Sequence, residues 1–251
     1  GAKIIFSDVN DDLNISVEHV KKLINKKTKA IIPVHLTGKI CEIEKLLEIA
    51  KHYKIKIIED AAQAIGAEYN NKKAGSFGIT GCFSLHPLKN LHVHGDGGML
   101  TTNKKNVYEY VKKIRNHGLI NRDSAVLWGY NSRLDNIQAA IGNIKLKKLN
   151  NLNNNFVRIA KTYNKKLSKF VDVPYIERNK FSVYHRYIIK TKYRDKLMKY
   201  LTEKNIETKI HYPIPLHLQP VAKNLNFKRG SLPNVERLSK RILSLPIYPE
   251  L

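Results

Sequence analysis

The stretch between Ile57 and Gly98 holds the residue types best suited to chemistry. Asp60 ends one apolar run, and Ser84 and Lys89 follow a second, shortly before the glycine-rich turn Gly95-Asp96-Gly97-Gly98. Pyridoxal phosphate is bound by a lysine amine that bonds to its aldehyde, a carboxylate that pairs with its ring nitrogen, and hydroxyl groups that contact its phosphate. The stretch therefore indicates a site for this cofactor, with Lys89 as the catalytic amine.

Each of these side chains also has an ordinary structural interpretation. Most lysines are solvated, and an amine is reactive at neutral pH only when it is desolvated or lies near other positive charge. Asp60 precedes Ala-Ala-Gln and would suit a helix N-cap, a role compatible with binding a cofactor. Ser84 could be an ordinary strand serine, and Gln63 could be a surface or capping-box residue.

Several further motifs stand in a fixed order along the whole chain. With the Ile57–Gly98 stretch they resemble the DegT/DnrJ/EryC1/StrS family of sugar aminotransferases, which have the PLP-dependent fold type I. The motifs outside that stretch are His35-Leu36-Thr37-Gly38, Gly129-Tyr130-Asn131-Ser132-Arg133-Leu134-Asp135, Gln138-Ala139-Ala140, the run from His211 to Gln219, and Leu243-Ser244-Leu245-Pro246-Ile247-Tyr248-Pro249.

The resemblance assigns a role to each residue of the cofactor site. Lys89 would bond to the cofactor aldehyde, and Asp60 would keep the pyridine nitrogen protonated. Gln63 would face the hydroxyl side of the ring, and Ser84 would bind the phosphate. Asn131 would reach the phosphate in a neighbouring subunit, which implies a homodimer with shared active sites.

Candidate substrate-binding residues lie outside this stretch. Arg133 could hold a carboxylate or phosphate bidentately, or form an intramolecular salt bridge at a helix start. His211, Tyr212 and His217 lie in a proline-rich loop that, by resemblance, approaches a sugar-nucleotide; a structural role for each is the alternative. His86, His92 and His94 cluster near Lys89, but no carboxylate or cysteine spacing supports a metal site there.

The reaction implied is transfer of an amino group from an amino acid, with L-glutamate the expected donor, to a nucleotide-linked ketosugar in amino-sugar biosynthesis. Family dehydratases carry His in place of the lysine, and Lys89 argues against that activity. The family's N-terminal portion, with its Ser-Gly-Thr phosphate loop, has no counterpart in this sequence. The alternative is therefore a truncated, catalytically incomplete member, or a subunit that needs a partner segment and leaves a sheet edge exposed.

Charge and composition bound the remaining function classes. The 251-residue chain has a formal net charge of +24, but its lysines are spread over many helix-like segments, which argues against a nucleic-acid partner. A coding bias toward Lys, Asn and Ile is a sufficient cause, and attraction of an anionic nucleotide-sugar is a weaker functional one. No apolar run predicts a membrane span, and Cys41 and Cys82 indicate reduced thiols in a cytoplasmic protein.

Apolar periodicity predicts an α/β protein: a mainly parallel sheet between helices in residues 1–150, the remainder of a large cofactor-binding domain, and a small C-terminal α/β domain in residues 151–251. The domain border is placed in or near the asparagine-rich run 150–155. Strands are predicted over 1–8, 30–36, 54–60, 79–85, 98–102 and 184–191, and helices over 39–53, 104–116, 134–149, 155–170 and 194–205.

Overall fold

The computed structural model describes residues 1–175 and 177–251. The α-helices of this part of the chain are α1 (Val17–Leu23), α2 (Ile43–His52), α3 (Lys105–Ile114), α4 (Asn136–Leu167), α5 (Arg194–Glu203) and α6 (Pro233–Ser239). The strands are β1 (Ala30–Ile31), β2 (Lys56–Asp60), β3 (Glu68–Tyr69), β4 (Lys72–Lys73), β5 (Thr80–Ser84), β6 (Gly98–Thr101), β7 (Lys180–Phe181), β8 (Tyr187–Lys190) and β9 (Ile242–Leu245). Within the described residues, no helix is long and apolar enough to cross a membrane.

The central sheet has the strand order β1-β2-β5-β6. The first three strands pair in parallel and β6 pairs antiparallel to β5, which confirms the predicted mainly parallel sheet. Helix α2 connects β1 to β2 and buries Ile43, Leu46 and Ala50 on one face, the i, i+3, i+7 spacing of an amphipathic helix. The carboxyl ends of β2 and β5 therefore lie side by side, where ligands of such sheets bind.

Two predicted strands differ from the structure. The run 30–36 pairs continuously only over β1, because Pro33 has no N–H to donate and the chain leaves the ladder after an isolated bridge between Val34 and Asp60. The predicted strand over 1–8 is wrong, since no β-ladder includes it in the described part of the chain. Its continuation, Val9, forms a single bridge to Ile15.

Helix α4 runs for 32 residues without interruption. The asparagine-rich run 150–155 therefore lies inside a helix, and the predicted break there is wrong. Asn153 explains the helix continuity, because its side chain is buried and hydrogen-bonded rather than competing for its own backbone. The predicted division into residues 1–150 and 151–251 stays a prediction, with its border inside α4.

The C-terminal part of the chain packs around the antiparallel pair β8–β9. Its apolar core joins Tyr187 and Leu243 from these strands to Phe156 and Ala160 from α4. Strand β8 and helix α5 fall within the segments predicted as strand 184–191 and helix 194–205.

Candidate active site

Asp60 lies at the carboxyl end of β2, as the sequence predicts. Its Oδ1 accepts a hydrogen bond from the backbone N–H of Ala62 at 3.0 Å. No helix begins here in the described chain, so the side chain closes a turn instead of capping a helix. The second carboxylate oxygen is left for another partner at the rim of the sheet.

Glu59, which sequence reasoning missed, supports this strand end from the interior. It is fully buried, and it accepts hydrogen bonds from the backbone N–H groups of Gly75, Phe77 and Gly78 at 2.7 Å each. Burial raises the pKa of Glu59, but these bonds and the His35 Nε2 contact at 3.0 Å outweigh it, so the pKa lies below its usual value. Its position in the sequence could have revealed it, because a carboxylate at an inward-facing position of an apolar strand must be paired.

Lys89 lies in the turn that follows β5. Its backbone N–H donates to His86 O at 2.9 Å, and Ser84 Oγ accepts from His86 N at 3.3 Å, so Ser84 holds the start of the same turn. Burial lowers the pKa of Lys89, and the charge of Arg186 lowers it further, while Asp60 opposes the shift. The structure thus brings Lys89 within electrostatic reach of Asp60.

The segment leading into β8 lies beside the Lys89 turn. Asn90 Nδ2 donates to Val183 O and to Asn153 Oδ1, both at 3.0 Å, and joins this segment and α4 to the residue after Lys89. His185 is buried, and its Nε2 has no hydrogen-bond partner in the described structure. Burial, Lys89 and Arg186 lower the pKa of His185 to about 3. Sequence reasoning missed His185 because its neighbours are distant in the chain.

Gln63 is buried and holds a strained turn. Its Oε1 accepts from the backbone N–H of Thr37 at 2.8 Å, and Thr37 has φ of 64°, a region unfavourable for a β-branched residue. The following Gly38 has φ of 94° and packs so closely on Val183 that a Cβ there would lie 2.8 Å from the Val183 side chain. The Thr37 turn, Gln63 and the segment before β8 therefore form one packed unit.

His211, which follows helix α5, contacts this unit through Arg186. Its Nδ1 is 2.8 Å from Ser244 Oγ and 3.4 Å from Arg186 Nη1. Burial, then the charges of Arg186 and Lys209, lower the pKa of His211 to about 4, so the ring is neutral near pH 7. Tyr212 follows with an exposed side chain.

The structure places His217 in the interior. Only 3% of the residue is exposed, and Nε2 lies 2.9 Å from Glu236 Oε1. Glu236 also accepts from the backbone N–H of Gly230, so the pair closes a loop. His217 thus has the structural contact that the alternative interpretation expects, and its part in substrate binding stays a prediction.

Asn131 and Arg133 are exposed and bond to each other. Arg133 Nε donates to Asn131 Oδ1 at 2.9 Å, so the salt bridge considered for Arg133 is an arginine–amide contact instead. Within the described residues, neither side chain hydrogen-bonds to the groups around Lys89. Their part at a cofactor site stays a prediction.

Comparison with known proteins agrees with this geometry. The model of the DegT/DnrJ/EryC1/StrS aminotransferase family matches residues 1–251. The "Pleiotropic regulatory protein" of Geobacillus stearothermophilus is 42% identical over the whole chain, which spans 69% of that relative. The dTDP-3-amino-3,6-dideoxy-alpha-D-galactopyranose transaminase of Aneurinibacillus thermoaerophilus is 40% identical over 98% of the chain and 67% of its own length.

The fold has counterparts among solved structures. A DegT DnrJ EryC1 StrS aminotransferase from Brucella abortus superposes with a TM-score of 0.95 at 37% identity, covering all of this chain and 70% of that one. This confirms the predicted fold type I. Pyridoxal phosphate is the cofactor of such enzymes, and solved relatives include one with its amino form bound. The chain therefore belongs to the DegT/DnrJ/EryC1/StrS aminotransferase family.

Proposed function

We propose that this chain transfers an amino group from an amino acid, with L-glutamate as the expected donor, to a ketosugar carried on a nucleotide. The observation that carries the proposal is a half-buried Lys89 of lowered pKa within electrostatic reach of Asp60 at the rim of a parallel sheet. The Aneurinibacillus relative is an amino-sugar transaminase, which supports the substrate class.

The residues at this rim fit pyridoxal phosphate. Within the described residues, one carboxylate oxygen of Asp60 has no protein donor and could accept from the ring nitrogen, and Ser84 offers a hydroxyl to the phosphate. Gln63, whose Oε1 accepts from Thr37, keeps its amide N–H groups for the hydroxyl side of the ring. His185 adds a buried Nε2 without a protein partner. The bound cofactor draws electrons from the carbon that carries the transferred amino group.

Lys89 would move the proton in this reaction. A lysine amine accepts a proton only in its neutral form, and the neutral fraction at pH 7 rises as the pKa falls toward that pH. Burial and the neighbouring Arg186 both act in this direction. The charge of Asp60 opposes this shift.

The absorbance of the protein mixed with pyridoxal phosphate tests the role of Lys89. A band at about 420 nm, expected for the cofactor linked through a lysine, should appear in the wild type and in Lys148→Ala and be absent from Lys89→Ala. Lys148 is an exposed lysine of α4 and serves as the matched control. An equal band in Lys89→Ala would refute the assignment.

A homodimer with shared sites is part of the proposal. Large apolar side chains close to Asn131 and Arg133 are strongly exposed: Trp128 at 99%, Tyr130 at 70% and Ile137 at 72%. Strongly exposed aromatic and apolar side chains are typical of an interface, and their nearness in sequence to Asn131 favours a second copy of this chain as the occupant.

Subunit complementation tests the shared site. Lys89→Ala and Asn131→Ala should each be inactive, and refolding them together should restore about a quarter of the wild-type activity, because half of the mixed dimers' sites are intact. Asp60→Ala, which alters the same half of the shared site as Lys89, should not complement Lys89→Ala. Failure of the first pair to complement would contradict sharing through Asn131.

A regulatory, non-catalytic role is the second candidate. The name of the Geobacillus relative favours it. The same absorbance measurement separates the two roles, since a lysine-dependent band followed by conversion of L-glutamate to 2-oxoglutarate requires a working site. A protein without the band would favour regulation.

A further inference from the structure

Arg186, the residue before β8, is a cation without an anionic partner. Its Nε is buried and has no hydrogen-bond partner, and it forms no ion pair with a carboxylate in the described structure. One contact is with a neutral ring, since Nη1 lies 3.4 Å from His211 Nδ1. A guanidinium donor withdrawn from water is unfavourable unless it is satisfied, and the partly exposed remainder of the Arg186 guanidinium can still reach an acceptor.

The guanidinium of Arg186 repels positive charge on its neighbours. Its charge acts on Lys89, His185 and His211, and lowers the pKa of each. The carboxylate that acts on Lys89 is Asp60, which the proposed cofactor site already uses. A ligand that brings a carboxylate to this place would relieve the repulsion.

The backbone fixes Arg186 close to the reacting amine. Asn90, next to Lys89, donates to Val183 O, and only two residues separate Val183 from Arg186. Ser244 Oγ and Arg186 Nη1 both contact His211 Nδ1, at 2.8 Å and 3.4 Å. The guanidinium is thus oriented by protein contacts before any ligand arrives.

We propose that Arg186 binds the carboxylate of the amino-acid donor, an inference that rests on the proposed function. The donor's amino group must reach Lys89, and its α-carboxylate is bonded to the same carbon, so the two groups must lie close together. The planar guanidinium matches both carboxylate oxygens. The diphosphate of a nucleotide-sugar lies several bonds from the reacting ring carbon and fits a more distant site.

Calorimetric titration of the cofactor-loaded full chain tests the proposal with glutarate, a dicarboxylate that has no amine and cannot react. Arg186→Met keeps the volume of the side chain without its charge, and Arg186→Lys keeps the charge without the planar fork. Lys209→Met is the matched control, because Lys209 also acts on His211 but is exposed and paired with Glu207. UDP serves as the probe for the diphosphate.

Glutarate should bind Arg186→Met at least about tenfold more weakly than the wild type, Arg186→Lys to an intermediate degree, and Lys209→Met within about twofold. UDP affinity should be unchanged in Arg186→Met. Unchanged glutarate affinity in Arg186→Met, or loss of UDP binding alone, would overturn the inference and leave the proposed function standing. A wild type that neither binds glutarate nor consumes L-glutamate would overturn both.

Discussion

Glu59 is the residue that holds the rim of β2 in place. Glu59→Gln should lower the free energy of unfolding by about 2–3 kcal/mol at pH 7, because an amide has one oxygen and cannot accept the bonds that the carboxylate takes from Gly75, Phe77 and Gly78. Urea denaturation measures the difference. Glu203→Gln, at an exposed position of α5, is the control and should change little.

The effect of Glu59 depends on pH with a definite sign. Its pKa in the folded protein lies below the usual value of 4.5, so its stabilisation is complete above that pH and is lost as the pH falls through the folded pKa. The difference in unfolding free energy between wild type and Glu59→Gln should therefore shrink between pH 7 and about pH 3. A difference that stays constant with pH would contradict this account.

Residue types and their spacing along the chain predicted some of the residues of the candidate site but not the others. Lys89 and Asp60 could be found because they end neighbouring apolar runs, and strand ends of a parallel sheet meet. Arg186 and His185 could not, since a hydrogen bond between Asn90 and Val183, far apart in sequence, brings them there. The contact of His217 could not be found either, since its partner Glu236 comes from helix α6 and not from the motif.

Helix α4 is joined to the Lys89 turn through one buried asparagine. Asn153 donates to Ile65 O at 3.1 Å and accepts from Asn90 at 3.0 Å. Asn153→Leu should lower the unfolding free energy by about 1–3 kcal/mol and speed hydrogen exchange at the Lys89 and Asn90 amides, because Ile65 O loses its donor. Asn154→Leu, at the exposed neighbouring position, is the control. Equal exchange in both variants would refute the coupling.

Elements with regular apolar spacing were predictable, and those set by tertiary contacts were not. Helix α2 was located from one apolar face, although it begins four residues later than predicted. The asparagine-rich run in α4 was mistaken for a break because asparagine generally favours turns. Burial of Asn153 in a polar contact reverses that preference, and no local pattern shows it.

Over the whole molecule, a net charge of +24 should act on the association of anionic substrates. The association rate constant of a nucleotide-sugar should fall severalfold as ionic strength rises from about 0.05 to 0.5 M, because salt screens long-range attraction. Stopped-flow binding measures it, and the dissociation rate should change less. A rate constant independent of salt would show that the net charge does not attract the substrate and reflects only the amino-acid composition.

The length of α4 has a mechanical consequence. Over 32 residues the helix extends about 48 Å, and it packs Leu149 into the apolar cluster beneath the Lys89 turn and Phe156 into the C-terminal core. One continuous helix therefore contributes side chains to both cores and fixes their relative rotation about its axis. A single residue inserted between Leu149 and Phe156 would rotate one contact face by about 100° relative to the other. We therefore expect an insertion or deletion in this part of α4 to disrupt the packing of one of the two cores.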